Sequence, residues 1–413
     1  MLCVGVPREI APGETRVAVV PETVAKLAKA GLEFVVESHA GEAASFTDQA
    51  YRDAGASVAP DAPGVYPRAD VVLKVREPRP LGEDGTHEAD RLREGAALIG
   101  FLDPSRNSEL IGRLAARRVS VFAMELIPRI SRAQKMDALS SMSTVAGYKA
   151  ALLAAGALGK FFPLLMTAAG TIAPAKVFVL GAGVAGLQVI ATARRLGAVV
   201  EAFDVRPAVR EEVKSLGASF VHLDLTDEKL AGEGGYAKSL TAEQEARERE
   251  LIRQHVKSAD VVVSTAMVPG KRAPVLITEA MVREMRPGSV IVDLAAESGG
   301  NCELTQAGQQ ITAHGVVIHG PVNLAAMLPV HASQMYSRNI TALLLHLIKD
   351  GALRVDLEDE ITRETCVTHE GRVLKGAPRP QDPQAAPGAA PAARAGATSG
   401  DGPTTETSSR IPA

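Results

Sequence analysis

Cysteine is scarce in this chain. Only Cys3, Cys302 and Cys366 occur, far apart and without a C-x-x-C pair, so neither a zinc site nor a disulfide framework is indicated and a reducing, cytosolic compartment fits. An excess of charge of one sign is missing too: over 413 residues the formal net charge is −3, which offers no electrostatic footprint for nucleic acid. The N-terminus enters a strand pattern by Leu2 and lacks the basic and apolar regions of a signal peptide. No uncharged apolar run reaches the roughly 18 residues of a membrane span. The nearest approach, residues 145–172, is rich in Ala and Leu but interrupted by Lys149, Lys160, Gly147, Gly156, Gly159 and Pro163, and reads as a helix buried between domains or subunits. The nine histidines show no metal-ligand spacing, so no metal site is expected.

What is present is concentrated between Val177 and Asp204. Four apolar residues run into Gly181-Ala182-Gly183-Val184-Ala185-Gly186, a G-x-G-x-x-G. A helical pattern follows, ends at Gly197, and gives way to a second apolar run that stops at Asp204. The order is strand, tight turn, helix, strand, acid. Each glycine has a separate role, since Gly181 makes the turn, Gly183 lets backbone approach a pyrophosphate, and Gly186 lets the helix pack on the strand. The helix N-terminus offers unpaired N–H groups to phosphate. Asp204 lies where a carboxylate binds the adenosine ribose and repels a 2′-phosphate, which favours NAD(H) over NADP(H).

The length allows two or three domains. Apolar strand patterns at 3–6, 32–37, 71–75, 97–101 and 119–124 alternate with helical stretches, one of them starting at Pro21. This alternation implies parallel βαβ units without a glycine-rich phosphate loop. Beyond Asp204, strands are expected at 219–223, 260–265, 290–294 and 316–319. The long connection 224–259 carries Gly232-Glu233-Gly234-Gly235-Tyr236-Ala237-Lys238, either a functional loop or a surface connection. A helical pattern at 323–350 is expected to cross back onto the first domain, and 368–372 to turn a short hairpin. After Lys375 the chain is dominated by Pro, Ala, Gly, Ser and Thr, a composition that cannot offset its ordering entropy. The fold expected is therefore α/β: two doubly wound, parallel-sheet (Rossmann-like) domains flanking a cleft, with a disordered C-terminal tail. The first domain comprises 1–135 plus 330–375, the dinucleotide-binding domain 136–329, and the tail 376–413.

Between the domains, residues 125–141 place a guanidinium, an amide, a carboxylate and hydroxyls at the mouth of the cleft, or else form a capped loop with solvated charges. The segments IPRISRAQKMDALSSMSTVAGYKA, LGAGVAGLQ, AFDVRP, GEGGYAK, TAMVPG and DLAAESGGN resemble the NAD(H)-binding α subunit of proton-translocating transhydrogenase, within the alanine dehydrogenase/transhydrogenase family. The resemblance covers roughly residues 1 to 375. It implies a dimeric subunit that binds NAD(H) and docks on a separate NADP(H)-binding β subunit at the membrane, with hydride passing directly between the two nicotinamides. On the matching positions, Arg129, Gln134, Asp137 and Ser140 would orient the nicotinamide, and Tyr236 would ride on a closing loop. Gly181, Ala182, Gly183, Val184 and Gly186 would follow the pyrophosphate, Asp204, Val205 and Arg206 the adenosine, with Gly234 and Met267 near the cofactor. The tail resembles the tether that leads to a membrane segment in fused forms, and its end here suggests a split form with a separate small membrane subunit. The chain would then be cytoplasmic and peripheral to the inner membrane through its partners.

Two rivals remain at this point: an alanine dehydrogenase-like amino-acid dehydrogenase, and a non-catalytic NAD(H)-binding regulator. Arg16 and Lys74 match substrate-binding positions of alanine dehydrogenase, but Asp103 stands where its catalytic histidine is expected. Oxidising an amine moves protons and needs a group that titrates near neutrality. Hydride transfer between nicotinamides needs only two rings held at about 3 to 3.5 Å with water excluded.

Overall fold

A computed structural model describes residues 1–81, 86–222, 242–267 and 271–375. Six parallel strands form most of a first sheet: β1 (Cys3–Val6), β2 (Glu33–Glu37), β3 (Ser57–Ala59), β4 (Val71–Leu73), β5 (Ala97–Gly100) and β6 (Ser120–Ala123). Their spatial order, 6-5-4-1-2-3, is that of a doubly wound sheet. Strands β1, β4, β5 and β6 are buried throughout, as expected where both faces carry helices.

An exposed two-stranded hairpin, β7 (Leu165–Thr167) and β8 (Gly170–Ile172), leads into the second sheet. Its strands are β9 (Lys176–Leu180), β10 (Val199–Phe203), β11 (Ser219–Val221), β12 (Val261–Ser264), β13 (Val290–Asp293), β14 (Gln310–Ala313) and β15 (Val316–His319). The order is 11-10-9-12-13-15-14, so the chain again reverses direction across the sheet beside its first strand, between β9 and β12.

The chain then returns. Leu324–Met327 forms a 3-10 turn and Pro329–Leu347 a helix whose Tyr336, Ile340, Leu343, Leu344 and Leu347 complete the core of the first sheet. A small hairpin, β16 (Ile348–Lys349) and β17 (Ala352–Leu353), ends that helix. Strand β18 (Cys366–His369) adds antiparallel to β6, and β19 (Arg372–Val373) pairs with it. The hairpin turn at Glu370 and Gly371, both at positive φ, falls where the sequence pattern put it.

Three details depart from the sequence reading. Residues 145–172 are not one helix: Ala138–Ala157 is helical with Gly147 and Gly156 inside it, Leu158 turns extended, and Gly159 and Pro163 fall in the connection to the β7–β8 hairpin. The strands β14 and β18 join the two sheets antiparallel to β15 and β6. Strand β3 went unrecognised. The tail 376–413 and the loop bearing Gly234 and Tyr236 lie outside the described residues; the charged helix beyond that loop is present as Ala242–Ser258.

Candidate dinucleotide site

The glycine turn lies at the switch point of the second sheet, and its three glycines are required in different ways. Gly181 has φ +95°, and a Cβ there would lie 2.6 Å from Thr265 Oγ1. A Cβ at Gly186 would lie 1.9 Å from the Gly181 carbonyl oxygen, so only glycine lets the helix Val184–Arg195 sit this close to β9. At Gly183 the nearest heavy atom to a Cβ is Arg206 Nη2, 4.0 Å away. Among the described residues nothing fills that space, and no side chain caps the helix that starts there. An open cradle facing uncapped N–H groups fits a dinucleotide pyrophosphate.

Asp204 closes the site from the end of β10. Its buried carboxylate accepts hydrogen bonds from Ala182 N–H (2.8 Å), Arg206 N–H (2.9 Å), Arg206 Nε (2.9 Å) and Arg206 Nη2 (2.8 Å). Burial raises its pKa, but Arg206 and the two backbone donors outweigh this and hold it below the usual carboxylate value. Val205 packs half-buried against the core under β9 and β12. Ala182 is buried, whereas Val184 and Met267 are exposed.

Residues 125–141 divide in two. Asp137 caps the helix Ala138–Ala157: its oxygens accept Ser140 N–H (2.9 Å) and Ser140 Oγ (2.5 Å). Arg129 and Gln134 are exposed, with no side-chain partner among the described residues. The helix that Asp137 starts crosses the helix Val184–Arg195 at Gly147, where a Cβ would lie 2.2 Å from the Ala185 carbonyl oxygen.

Several residues behind the turn escaped sequence reasoning. Thr265 Oγ1 donates to the Gly181 carbonyl (3.0 Å). Asn301, fully buried, accepts Ala266 N–H (3.0 Å) and donates to Ala266 O and Pro274 O (both 2.8 Å). Asp293, also fully buried, accepts Ser264 Oγ, Ala295 N–H, Asn301 N–H, Cys302 N–H and Thr305 Oγ1. The only sequence signal for the last two was their place in DLAAESGGN.

The switch point of the first sheet, between β1 and β4, is filled with charge. Fully buried Lys74 lies 3.0 Å from Glu88 and 3.3 Å from Glu9. One ammonium cannot neutralise two carboxylates: burial opposes its charge, yet the two acids hold Lys74 charged, while burial pushes Glu9 up. Arg16 is bonded through Nε and Nη2 to Glu14 (2.7 and 2.6 Å), and Nη2 also donates to Asn323 (3.0 Å). Although burial opposes it, Arg16 lowers the Glu14 carboxyl to about 2. A cavity of about 380 Å³ opens beside this cluster, its charged lining already paired: Arg8 with Glu37, Glu14 with Arg16, His39 with Glu42. Asp103 has φ +42° and accepts Ser105 Oγ (2.7 Å). Its own N–H and that of Leu102 are held by Glu125, whose buried carboxyl burial pushes up.

Two family signatures match the chain: "Alanine dehydrogenase/PNT, N-terminal domain" over residues 5–146 and "Alanine dehydrogenase/PNT, C-terminal domain" over residues 150–376. The chain belongs to the alanine dehydrogenase/PNT family. Within that family it is 46% identical over 374 residues to an alpha-subunit chain of NAD(P) transhydrogenase from Rhodospirillum rubrum, covering 90% of this chain and 97% of the relative. Alanine dehydrogenase of Bacillus subtilis is 30% identical over 383 residues, covering 90% and 92%. The solved structure of transhydrogenase from Sinorhizobium meliloti superposes with a TM-score of 0.80 at 44% identity, covering 90% of this chain and 99% of that one. Both the transhydrogenase resemblance and the Rossmann-like α/β fold expected from the sequence therefore stand.

Proposed function

We propose that this member of the alanine dehydrogenase/PNT family is the NAD(H)-binding catalytic subunit of a proton-translocating transhydrogenase, transferring hydride directly between NADH and NADP⁺ held on a partner β subunit. The observation that carries this reading is the contrast at the two crevices: an open, glycine-lined cradle for one nucleotide, and no titratable histidine at the turn holding Asp103. Asp103 is tied into its own turn, which suits a reaction without proton transfer at the reacting carbons.

NADH, when bound, supplies the hydride. Gly181, Ala182, Gly183, Val184 and Gly186 hold the pyrophosphate, Asp204, Val205 and Arg206 the adenosine, and Met267 and Gly234 border the cofactor. Arg129 and Gln134, exposed and without side-chain partners among the described residues, orient the nicotinamide. Asp137 and Ser140 orient the nicotinamide with them from the helix start that they cap, and Tyr236 closes over the site. The division at 1–135 plus 330–375 and 136–329, supported by the two sheets, belongs to the same reading. So do homodimerisation, a small membrane subunit, and a peripheral position at the inner membrane; among the described residues no helix is long and apolar enough to cross one.

The test is reconstitution. Alone, the chain binds NADH and turns over little; mixed with an NADP(H)-binding subunit, it reduces NADP⁺. Strong alanine-dependent NAD⁺ reduction by the isolated chain would promote the amino-acid dehydrogenase instead. Hydride transfer left unchanged by Gln134→Ala would remove that residue from the site.

A further inference from the structure

One fully buried amide behind the glycine turn uses every polar group it has. Asn301 Oδ1 accepts Ala266 N–H (3.0 Å), and its Nδ2 donates to Ala266 O and Pro274 O (both 2.8 Å). Its backbone N–H donates to Asp293 Oδ2 (2.7 Å), and its backbone carbonyl accepts Leu276 N–H (2.8 Å) and Ile277 N–H (2.9 Å). The Ala266 peptide groups present a donor and an acceptor together, and a side-chain amide answers both. An aspartate, with no donor, or a leucine, with neither group, could not make this set.

The peptide so gripped borders the switch point. Ala266 follows β12, on the far side of the reversal from β10, and a dinucleotide lies across such a reversal with one mononucleotide on each side. If Asp204, at the end of β10, takes the adenosine, the nicotinamide half faces Ala266 and the exposed Met267. Thr265 Oγ1, donating to the Gly181 carbonyl (3.0 Å), ties this segment to the glycine turn. A ring of bonds closes behind it, because Asp293 accepts both Ser264 Oγ (3.0 Å) from β12 and the Asn301 N–H. Gly300, at φ +80°, brings the chain over Asp293, where a Cβ would lie 3.0 Å from Oδ2.

We propose that Asn301 is a positioning residue for hydride transfer: by gripping both peptide groups of Ala266 it sets the end of β12, and with it Met267, as the wall against which the nicotinamide ring is held. The proposal rests on the NAD(H) transhydrogenase reading given above. Direct transfer between two rings tolerates little displacement, since a misplacement of about 1 Å can cost about a hundredfold in rate. An amide that only stabilises the fold would lower the unfolding midpoint and leave the folded protein fully active. A positioning amide lowers kcat in the folded protein while the adenosine side binds as before.

The experiment compares the full chain with Asn301→Ser, each reconstituted with an NADP(H)-binding subunit and assayed well below its unfolding midpoint. Calorimetry with 5′-AMP probes the adenosine side alone. In Asn301→Ser the 5′-AMP affinity stays within about twofold of wild type, while kcat for hydride transfer at saturating NADH falls by about tenfold or more. An unchanged kcat, or a 5′-AMP affinity that falls in step with kcat, overturns the positioning role. Should Asn301→Ser fail to fold, Ser264→Ala opens the same ring at a milder point. It then lowers kcat by about threefold or more with 5′-AMP binding kept, and an unchanged kcat there overturns the proposal. A wild type that binds no NADH, or passes no hydride with the partner present, overturns the underlying reading instead, so the two failures are distinguishable.

Discussion

The two sheets both reverse strand order beside their first strand, yet they treat the resulting crevices oppositely. At the β1/β4 reversal the chain fills the space with its own charges: Lys74 among Glu9 and Glu88, Arg16 gripped by Glu14. At the β9/β12 reversal it withdraws side chains until, among the described residues, the Gly183 backbone and the Arg206 guanidinium border the space. A doubly wound fold supplies a crevice at every switch point. Whether the crevice is a binding site depends on what the sequence leaves out of it, and a glycine with nothing near its missing Cβ is the clearest mark of that omission.

Breaking the filled crevice has the largest expected effect. Lys74→Met strands two buried carboxylates and should cost about 3–5 kcal/mol in urea unfolding; a smaller loss would mean that water reaches the cluster. Next is Gly186→Ala, whose methyl group collides with the Gly181 carbonyl and should cost about 1–3 kcal/mol, with NADH binding lost as the helix shifts. Gly183→Ala sharpens the comparison. Its methyl group approaches no described atom more closely than Arg206 Nη2 at 4.0 Å, so stability should change by less than about 1 kcal/mol. NADH affinity should nonetheless fall by about tenfold or more as the methyl group enters the pyrophosphate space. Unchanged affinity would empty that cradle of meaning.

A further effect is pH-dependent. The Glu14 carboxyl lies at about 2 in the folded chain against 4.5 ordinarily, so the stability it contributes is complete above about pH 4.5 and is lost as pH falls towards 2. The stability difference between wild type and Glu14→Gln should therefore be constant at neutral pH and shrink below about pH 4.5. A difference independent of pH would show that the Arg16–Glu14 bond is not ionic.

The open crevice was legible in the sequence and the filled one was not. A strand, three glycines, a helix and an acid lie within one stretch, so local spacing alone locates Asp204 beside the turn. Lys74 finds Glu9 and Glu88 only after β1 and β4 pair, and Arg16 finds Asn323 only when the chain returns from the second sheet. No local pattern encodes such partners. Strand β14 was missed because its residues, Gln310 to Ala313, are all partly or fully exposed at a sheet edge, where apolar patterning fades. The loop at 125–141 is intermediate. Asp137 proved a helix cap, as spacing to Ser140 allowed. Arg129 and Gln134 have no side-chain partner among the described residues, the condition under which a polar side chain can serve a ligand.

The crossing at Gly147 has a mechanical consequence. The helix Ala138–Ala157 runs about ten residues, or some 15 Å, from its Asp137 cap to the point where it rests on the Ala185 carbonyl without an intervening side chain. Such a contact has no soft layer to compress, so the rod and the first turn of the phosphate-side helix move as one body. Any rocking of one sheet against the other must bend elsewhere in the chain, and the reach from the cap of that rod to the glycine turn is a fixed gauge length.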